Sequence, residues 1–188
     1  MVRIAIFASG SGTNAENIIN YFEDHNKIKV VYVLTNNKNA GVIERAERLN
    51  IPLKVFSKKE LFSSEFANIL ELKADYLILA GFLLKIPNDI IDSFPNRIIN
   101  IHPALLPKYG GKGMYGKHVH EAVVQNKEKK SGITIHYVNE NYDEGAIIFQ
   151  ETVSLTERDT PDDVAAKIHI LEQNNFPEVI ESVIEKSI

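Results

Sequence analysis

An asparagine and a histidine stand two residues apart in the run Asn100-Ile101-His102-Pro103-Ala104-Leu105-Leu106-Pro107, directly after the apolar pair Ile98-Ile99. Residues at i and i+2 of a strand share one face. Pro103 stops the ladder, so both side chains are expected to project into whatever crevice lies beyond the sheet. The amide is a neutral hydrogen-bond donor, and the imidazole carries a proton near neutral pH. Such a pair suits a reaction in which a carbonyl oxygen gains negative charge while an amine loses a proton. The segment reads as an acyl-transfer site.

Two further constellations carry chemistry. Ser9-Gly10-Ser11-Gly12-Thr13-Asn14 follows an apolar run and precedes a helical stripe. Glycines there let backbone amides converge on an anion, and a helix N-terminus adds a favourable partial charge. The Ser11 and Thr13 hydroxyls and the Asn14 amide would add donors. The loop lacks both the lysine of a Walker loop and the third glycine of a dinucleotide fingerprint. Phosphate binding is the expectation; the alternative is a plain strand-to-helix turn with Thr13 or Asn14 as its N-cap. The other constellation runs from His136 to Gly145, a strand end followed by an acidic loop. Asp143 either holds that loop as an Asx-turn or approaches His102, raising its pKa and orienting its ring. His118 and His120 fall on different faces of a helix, and with no carboxylate at a ligand spacing a metal site is not expected.

The elements that must position these residues follow from periodicity. Val2–Ala8, Ile28–Leu34, Leu53–Phe56 and Tyr76–Ala80 read as strands. Between them, Ala15–Asp24 and Ala40–Leu49 read as helices, and Ser57 with Glu60 forms a capping box opening a helix to about Leu72. Alternation of strand and helix predicts an α/β fold with a doubly wound, mostly parallel sheet and helices on both faces. In the second half, Pro87–Phe94 reads as a short helix, Ile98–Ile101 as a strand and His118–Asn126 as a helix. Gly132–Val138 and Ala146–Val153 form an antiparallel pair, making the sheet mixed. Thr160-Pro161-Asp162-Asp163 opens a last helix running to the C-terminus, bent near Pro177. No repeat or linker divides the 188 residues, so one domain is expected.

Composition bounds the function class. The chain is 44% apolar and 24% charged with a formal net charge of −4, which argues against a nucleic-acid surface. It has no cysteine, so disulfides, thiolate catalysis and cysteine metal sites are excluded. No apolar run approaches the ~20 residues that span a bilayer, and the N-terminus lacks a signal-peptide core. A soluble cytoplasmic protein, monomer or homodimer, is expected.

Ser9–Asn14, Ala80-Gly81-Phe82, Asn100–Tyr109 and His136–Gly145 together resemble the folate-dependent formyltransferases, and the glycine-rich first loop resembles the phosphoribosylglycinamide formyltransferase branch of that family. The resemblance implies a single formyltransferase domain over 1–188, Rossmann-like in its N-terminal half, with about 1–98 nucleotide-binding and about 99–188 folate-binding and catalytic. It implies transfer of a formyl group from 10-formyltetrahydrofolate, as co-substrate and without a metal, to the amine of glycinamide ribonucleotide in purine biosynthesis. It casts Asn100, His102 and Asp143 as the catalytic trio, and Gly12, Thr13 and Asn14 as the phosphate site. It casts Glu172 as the acid that holds the glycinamide end. Leu83, Leu84 and Ile86, with Tyr142 and Asp143, would line the folate pocket. Two segments depart from the family pattern. Leu83-Leu84-Lys85 stands where many relatives carry Met-Arg, and the loop Gly110–Gly116 is longer and richer in glycine, suited to a lid. Alternatives are a formyltransferase for an amino sugar nucleotide and a non-catalytic nucleotide-binding module.

Overall fold

The computed structural model describes residues 1–188. In chain order the elements are β1 (Val2–Phe7), α1 (Thr13–Tyr21), β2 (Ile28–Thr35), α2 (Val42–Arg48), β3 (Leu53–Val55), α3 (Lys58–Leu61), α4 (Ser64–Lys73), β4 (Tyr76–Leu79), α5 (Asn88–Ser93), β5 (Ile98–His102), α6 (Lys117–Gln125), β6 (Lys130–Tyr137), β7 (Ile147–Ser154) and α7 (Pro161–Glu185). The seven strands form one sheet in the order β3-β2-β1-β4-β5-β6-β7. Strands β1 to β5 are parallel, whereas β6 runs antiparallel to β5 and β7 to β6. This is the doubly wound, mostly parallel mixed sheet that the strand–helix alternation predicts. Strand order reverses between β1 and β4, so the loops leaving these two strands diverge and open a crevice at their C-terminal ends.

Alternation along the strands sorts the core into two layers. Ile4, Ile6, Ile78, Ile99, Ile101, Ile133 and Ile135 pack with α1, α2, α6 and α7 into a cluster of 28 buried residues. The intervening Ala5, Phe7, Leu77, Leu79 and Ile98 join α3, α4 and α5 in a cluster of 15 on the other face. Burial of both faces explains why these strands are apolar at successive positions. Past Ile98, that second face turns polar. Asn100 and His102 on β5, and Thr134 and His136 on β6, occupy it, and loops rather than helices cover it.

One boundary differs from the sequence expectation. The helix predicted from Ser57 to Leu72 is two helices. The Ser57–Glu60 capping box forms, but the chain breaks at Phe62-Ser63, where the Ser63 side chain accepts from the Phe66 amide and starts α4. A serine able to cap ends one helix by starting another. The last helix runs through Pro177 to Glu185, as expected from the sequence. A proline inside a helix leaves the carbonyl four residues earlier without its donor. That carbonyl belongs to Gln173, and Asn17 of α1 donates to it through Nδ2 at 2.8 Å. No helix is long and apolar enough to cross a membrane.

Asn17→Ala is therefore expected to cost about 1–2 kcal/mol, read as a lowered urea midpoint. The cost should shrink in a Pro177→Ala background, where residue 177 regains an N–H for Gln173; equal costs in both backgrounds would reject the substitution of one donor for the other.

Candidate active site

The glycine-rich loop leaves β1 and enters α1 at Gly12, whose φ of 79° lies in the left-handed region. A Cβ at Gly12 would stand 2.6 Å from the Val42 backbone, so only glycine brings the loop this close to α2. Gly12 is the N-cap and no side chain caps the helix. This rules out the alternative of a Thr13 or Asn14 cap, since both are already helical. The first-turn amides are consequently free of any cap, an arrangement that attracts an anion. The Asn14 side chain is also not the free donor that the sequence suggested. Its Nδ2 donates to Glu172 Oε2 at 2.9 Å, and its Oδ1 accepts from Gln173 Nε2 at 2.6 Å. Asn14 thus ties the loop to α7.

Asn100 and His102 sit at the end of β5 on its polar face. Register places Asn100 opposite His136 on β6, and their side chains meet at 3.0 Å, Nδ2 to Nε2. His136 Nδ1 is 2.8 Å from the Tyr137 carbonyl, so Nδ1 carries the proton and Nε2 accepts from Asn100. That bond orients the amide and leaves its second N–H for a ligand. His102 donates Nε2–H to the Tyr109 carbonyl at 2.7 Å, which turns Nδ1 toward Asp143 Oδ2 at 3.6 Å. That gap is too long for a hydrogen bond and short enough for strong electrostatics in a buried site.

Asp143 arrives by an indirect route. Because β6 is antiparallel, its C-terminal end lies beside the start of β5, with Tyr137 opposite Ile99. The loop from Val138 to Ala146 must fold back over the sheet to reach His102. Gly145 permits the reversal, since a Cβ there would stand 1.7 Å from the Tyr137 carbonyl oxygen. Asp143 itself has a φ of 56°, a conformation that Asp tolerates better than most residues. Its Oδ2 accepts the Gly111 amide at 2.9 Å, and its Oδ1 lies 3.7 Å from His136 Nε2.

Charge states follow from these surroundings. Burial pushes the His102 imidazole below its ordinary pKa, outweighing the Asp143 carboxylate and the Tyr109 carbonyl. Burial alone would raise Asp143, but its neighbour His136, the Gly111 amide and, whenever that ring is protonated, His102 hold it below the usual carboxylate range. The resting trio is a neutral imidazole beside an ionised carboxylate. Burial raises the Glu172 carboxyl against the opposing Asn14 bond and nearby His169.

One cavity of about 760 Å³ joins these parts. The loop Gly10–Asn14 and Glu172 line it, as do Asn100, His102 and Asp143. Leu83, Leu84, Lys85, Ile86 and Tyr142 line it too, with Lys85 Nζ 5.9 Å from the Tyr142 ring. Every residue singled out from the sequence therefore borders a single space. His136, His120 and Gln173 were missed. For His136 the available signal was its place on the strand predicted to neighbour β5. The one group of side chains spaced to hold a metal, His25, Glu181 and Glu185, lines no part of this cavity. The His25 ring is already committed to two backbone amides and Glu181.

Residues 2–180 match the formyl transferase family. The chain belongs to that family. It is 34% identical to the phosphoribosylglycinamide formyltransferase of Bacillus subtilis, covering 98% of this chain and 95% of that one. It is 40% identical to the chloroplastic enzyme of that name from Arabidopsis thaliana, and 37% to that of Vigna unguiculata. The chain spans only 66% and 62% of those two plant relatives. Among solved structures, the phosphoribosylglycinamide formyltransferase of Bacillus halodurans aligns with a TM-score of 0.88 at 35% identity, over 99% of this chain and 97% of that one. The formyl transferase fold is thus the fold described above.

Glu172 supplies a pH-dependent test. A carboxyl whose folded-state pKa is raised contributes stability below its unfolded pKa and loses it as pH climbs through the folded value. Glu172→Gln keeps an oxygen for the Asn14 bond and removes the buried charge. The variant should melt above the parent at pH 7.5, and the difference should vanish below the ordinary glutamate range. A melting point at or below the parent's at pH 7.5 would contradict the assigned burial cost.

Proposed function

We propose that the chain transfers the formyl group of 10-formyltetrahydrofolate to the terminal amine of glycinamide ribonucleotide. The observation that carries this reading is the meeting of Asn100, His102 and Asp143 in the same cavity as the uncapped N-terminus of α1. The ribonucleotide phosphate rests on the first-turn amides from Gly12 to Asn14, a remote anchor that positions the amine. The folate lies along Leu83–Ile86 and Tyr142. Glu172 takes the glycinamide end, its carboxylate already aimed by Asn14.

The amine attacks the formyl carbon, and the carbonyl oxygen becomes an oxyanion. The free amide N–H of Asn100 and the Nδ1–H of protonated His102 donate to it, each good donor worth ~3–4 kcal/mol. Nε2 cannot share this task because Tyr109 occupies it. His102 takes up a proton from solvent as negative charge grows beside Nδ1 and returns it when the oxyanion collapses. Asp143 stabilises the imidazolium and, through water, passes the proton of the attacking amine to the folate nitrogen as the carbon–nitrogen bond to folate breaks. One carbon–nitrogen bond forms and one is lost, with no covalent enzyme intermediate. A cytoplasmic setting is part of the same reading, supported by the lack of a membrane-spanning helix and of cysteine.

The decisive assay is absorbance-monitored transfer from a 10-formyl folate, with glycinamide ribonucleotide, an amino sugar nucleotide or no acceptor. Turnover is expected with glycinamide ribonucleotide alone; deformylation without acceptor would mean a hydrolase instead. Asp143→Asn should keep its melting transition and lose turnover by at least ~100-fold, the scale of a lost acid–base group. Full activity would remove Asp143 from the mechanism. Gly12→Val should raise the Michaelis constant for the ribonucleotide far more than that for the folate, and equal effects would place the phosphate elsewhere.

A further inference from the structure

His120 lies on α6 and is 7% exposed, yet its Nδ1 has no hydrogen-bond partner. Buried polar atoms without partners are rare in native proteins, and each calls for an explanation. His120 also lines the cavity, and burial, with a smaller contribution from His102 when that ring is protonated, pushes its imidazole below the ordinary pKa. A neutral ring has one N–H and one lone pair to place. An enclosed bare acceptor is better tolerated than an orphaned donor, so the proton belongs on Nε2, the nitrogen not sealed in the core.

We infer that His120 is a binding residue for the acceptor substrate, its Nε2–H donating to an uncharged oxygen of that molecule. The wall on which it stands supports the acceptor over the folate. Helix α6 packs against α7, whose Ile168 and Glu172 face the same cavity. The folate-side segment, Leu83–Ile86, packs instead on the opposite face of the sheet through Ile86 and Leu84. An uncharged oxygen suits a neutral donor, since Glu172 and the α1 terminus already serve the amine and the phosphate. A ribose hydroxyl and the glycinamide carbonyl both have this chemistry. The inference rests on glycinamide ribonucleotide being the acceptor.

The test combines calorimetry with nitrogen NMR. Glycinamide ribonucleotide, ribose 5-phosphate and a folate analogue would each be titrated into the wild type, His120→Ala and His120→Gln. Loss of one neutral hydrogen bond predicts about 5- to 30-fold weaker binding of the ribonucleotide to His120→Ala. His120→Gln, which keeps an N–H, should recover part of it. Weakening of ribose 5-phosphate as well would assign the bond to a ribose hydroxyl; weakening of the ribonucleotide alone would assign it to the carbonyl. Unchanged ribonucleotide binding, or a loss confined to the folate analogue, would overturn the inference. In the wild type, the His120 imidazole should show the Nε2–H tautomer and shift on adding the ribonucleotide but not the folate analogue. The opposite tautomer would overturn the inference even if both variants fail to fold. Wild-type turnover of glycinamide ribonucleotide is scored separately, so loss of the proposed reaction and loss of the His120 contact give different results.

Discussion

A single buried carboxylate holds the catalytic face together. Asp143 accepts the Gly111 amide from the loop after β5, and it lies against His102 on β5 and His136 on β6. Burying a charge is costly unless partners replace the lost water. Here the partners come from three separate segments, so the carboxylate is stable only when all three are in place. The left-handed backbone at Asp143 and the close approach at Gly145 are local costs of delivering it. Strain of this kind concentrates where surrounding structure over-determines a position.

The polar sheet face explains why the site lies where it does. From β1 to β4, helices seal both faces and the strands carry no chemistry of their own. Reversal of β6 ends that pattern. Successive crossovers no longer supply a helix for the second face, and the side chains exposed there can be polar. Asn100 and His136 then become cross-strand neighbours, and one imidazole aims the amide that another imidazole works beside.

Much of this was legible in the sequence because it depends on short-range pattern. Strand and helix alternation, the capping boxes at Ser57 and Thr160, the Asn100–His102 pair and the loop at Gly12 each announce themselves within a few residues. Most of what escaped depends on distant partners. The capture of the Asn14 amide by Glu172 and Gln173 sets residues over 150 positions apart side by side. The break at Ser63 escaped for a local reason, one hydroxyl choosing the Phe66 amide. Periodicity carries no record of such choices, since they are settled by packing.

The bonds from α1 to α7 also bear on how the molecule is made. Asn14 and Asn17 emerge early in synthesis, whereas Glu172 and Gln173 are separated from Asn14 by 158 and 159 positions. Contacts so far apart require loop closure before they contribute anything. The parallel strands can begin to pair while the ribosome is still translating. The nucleotide end of the cavity cannot, because one of its walls is translated more than 150 positions after the loop. A nascent chain thus has its glycine-rich loop long before it has a pocket, and competence for ligand arrives only with the closing helix.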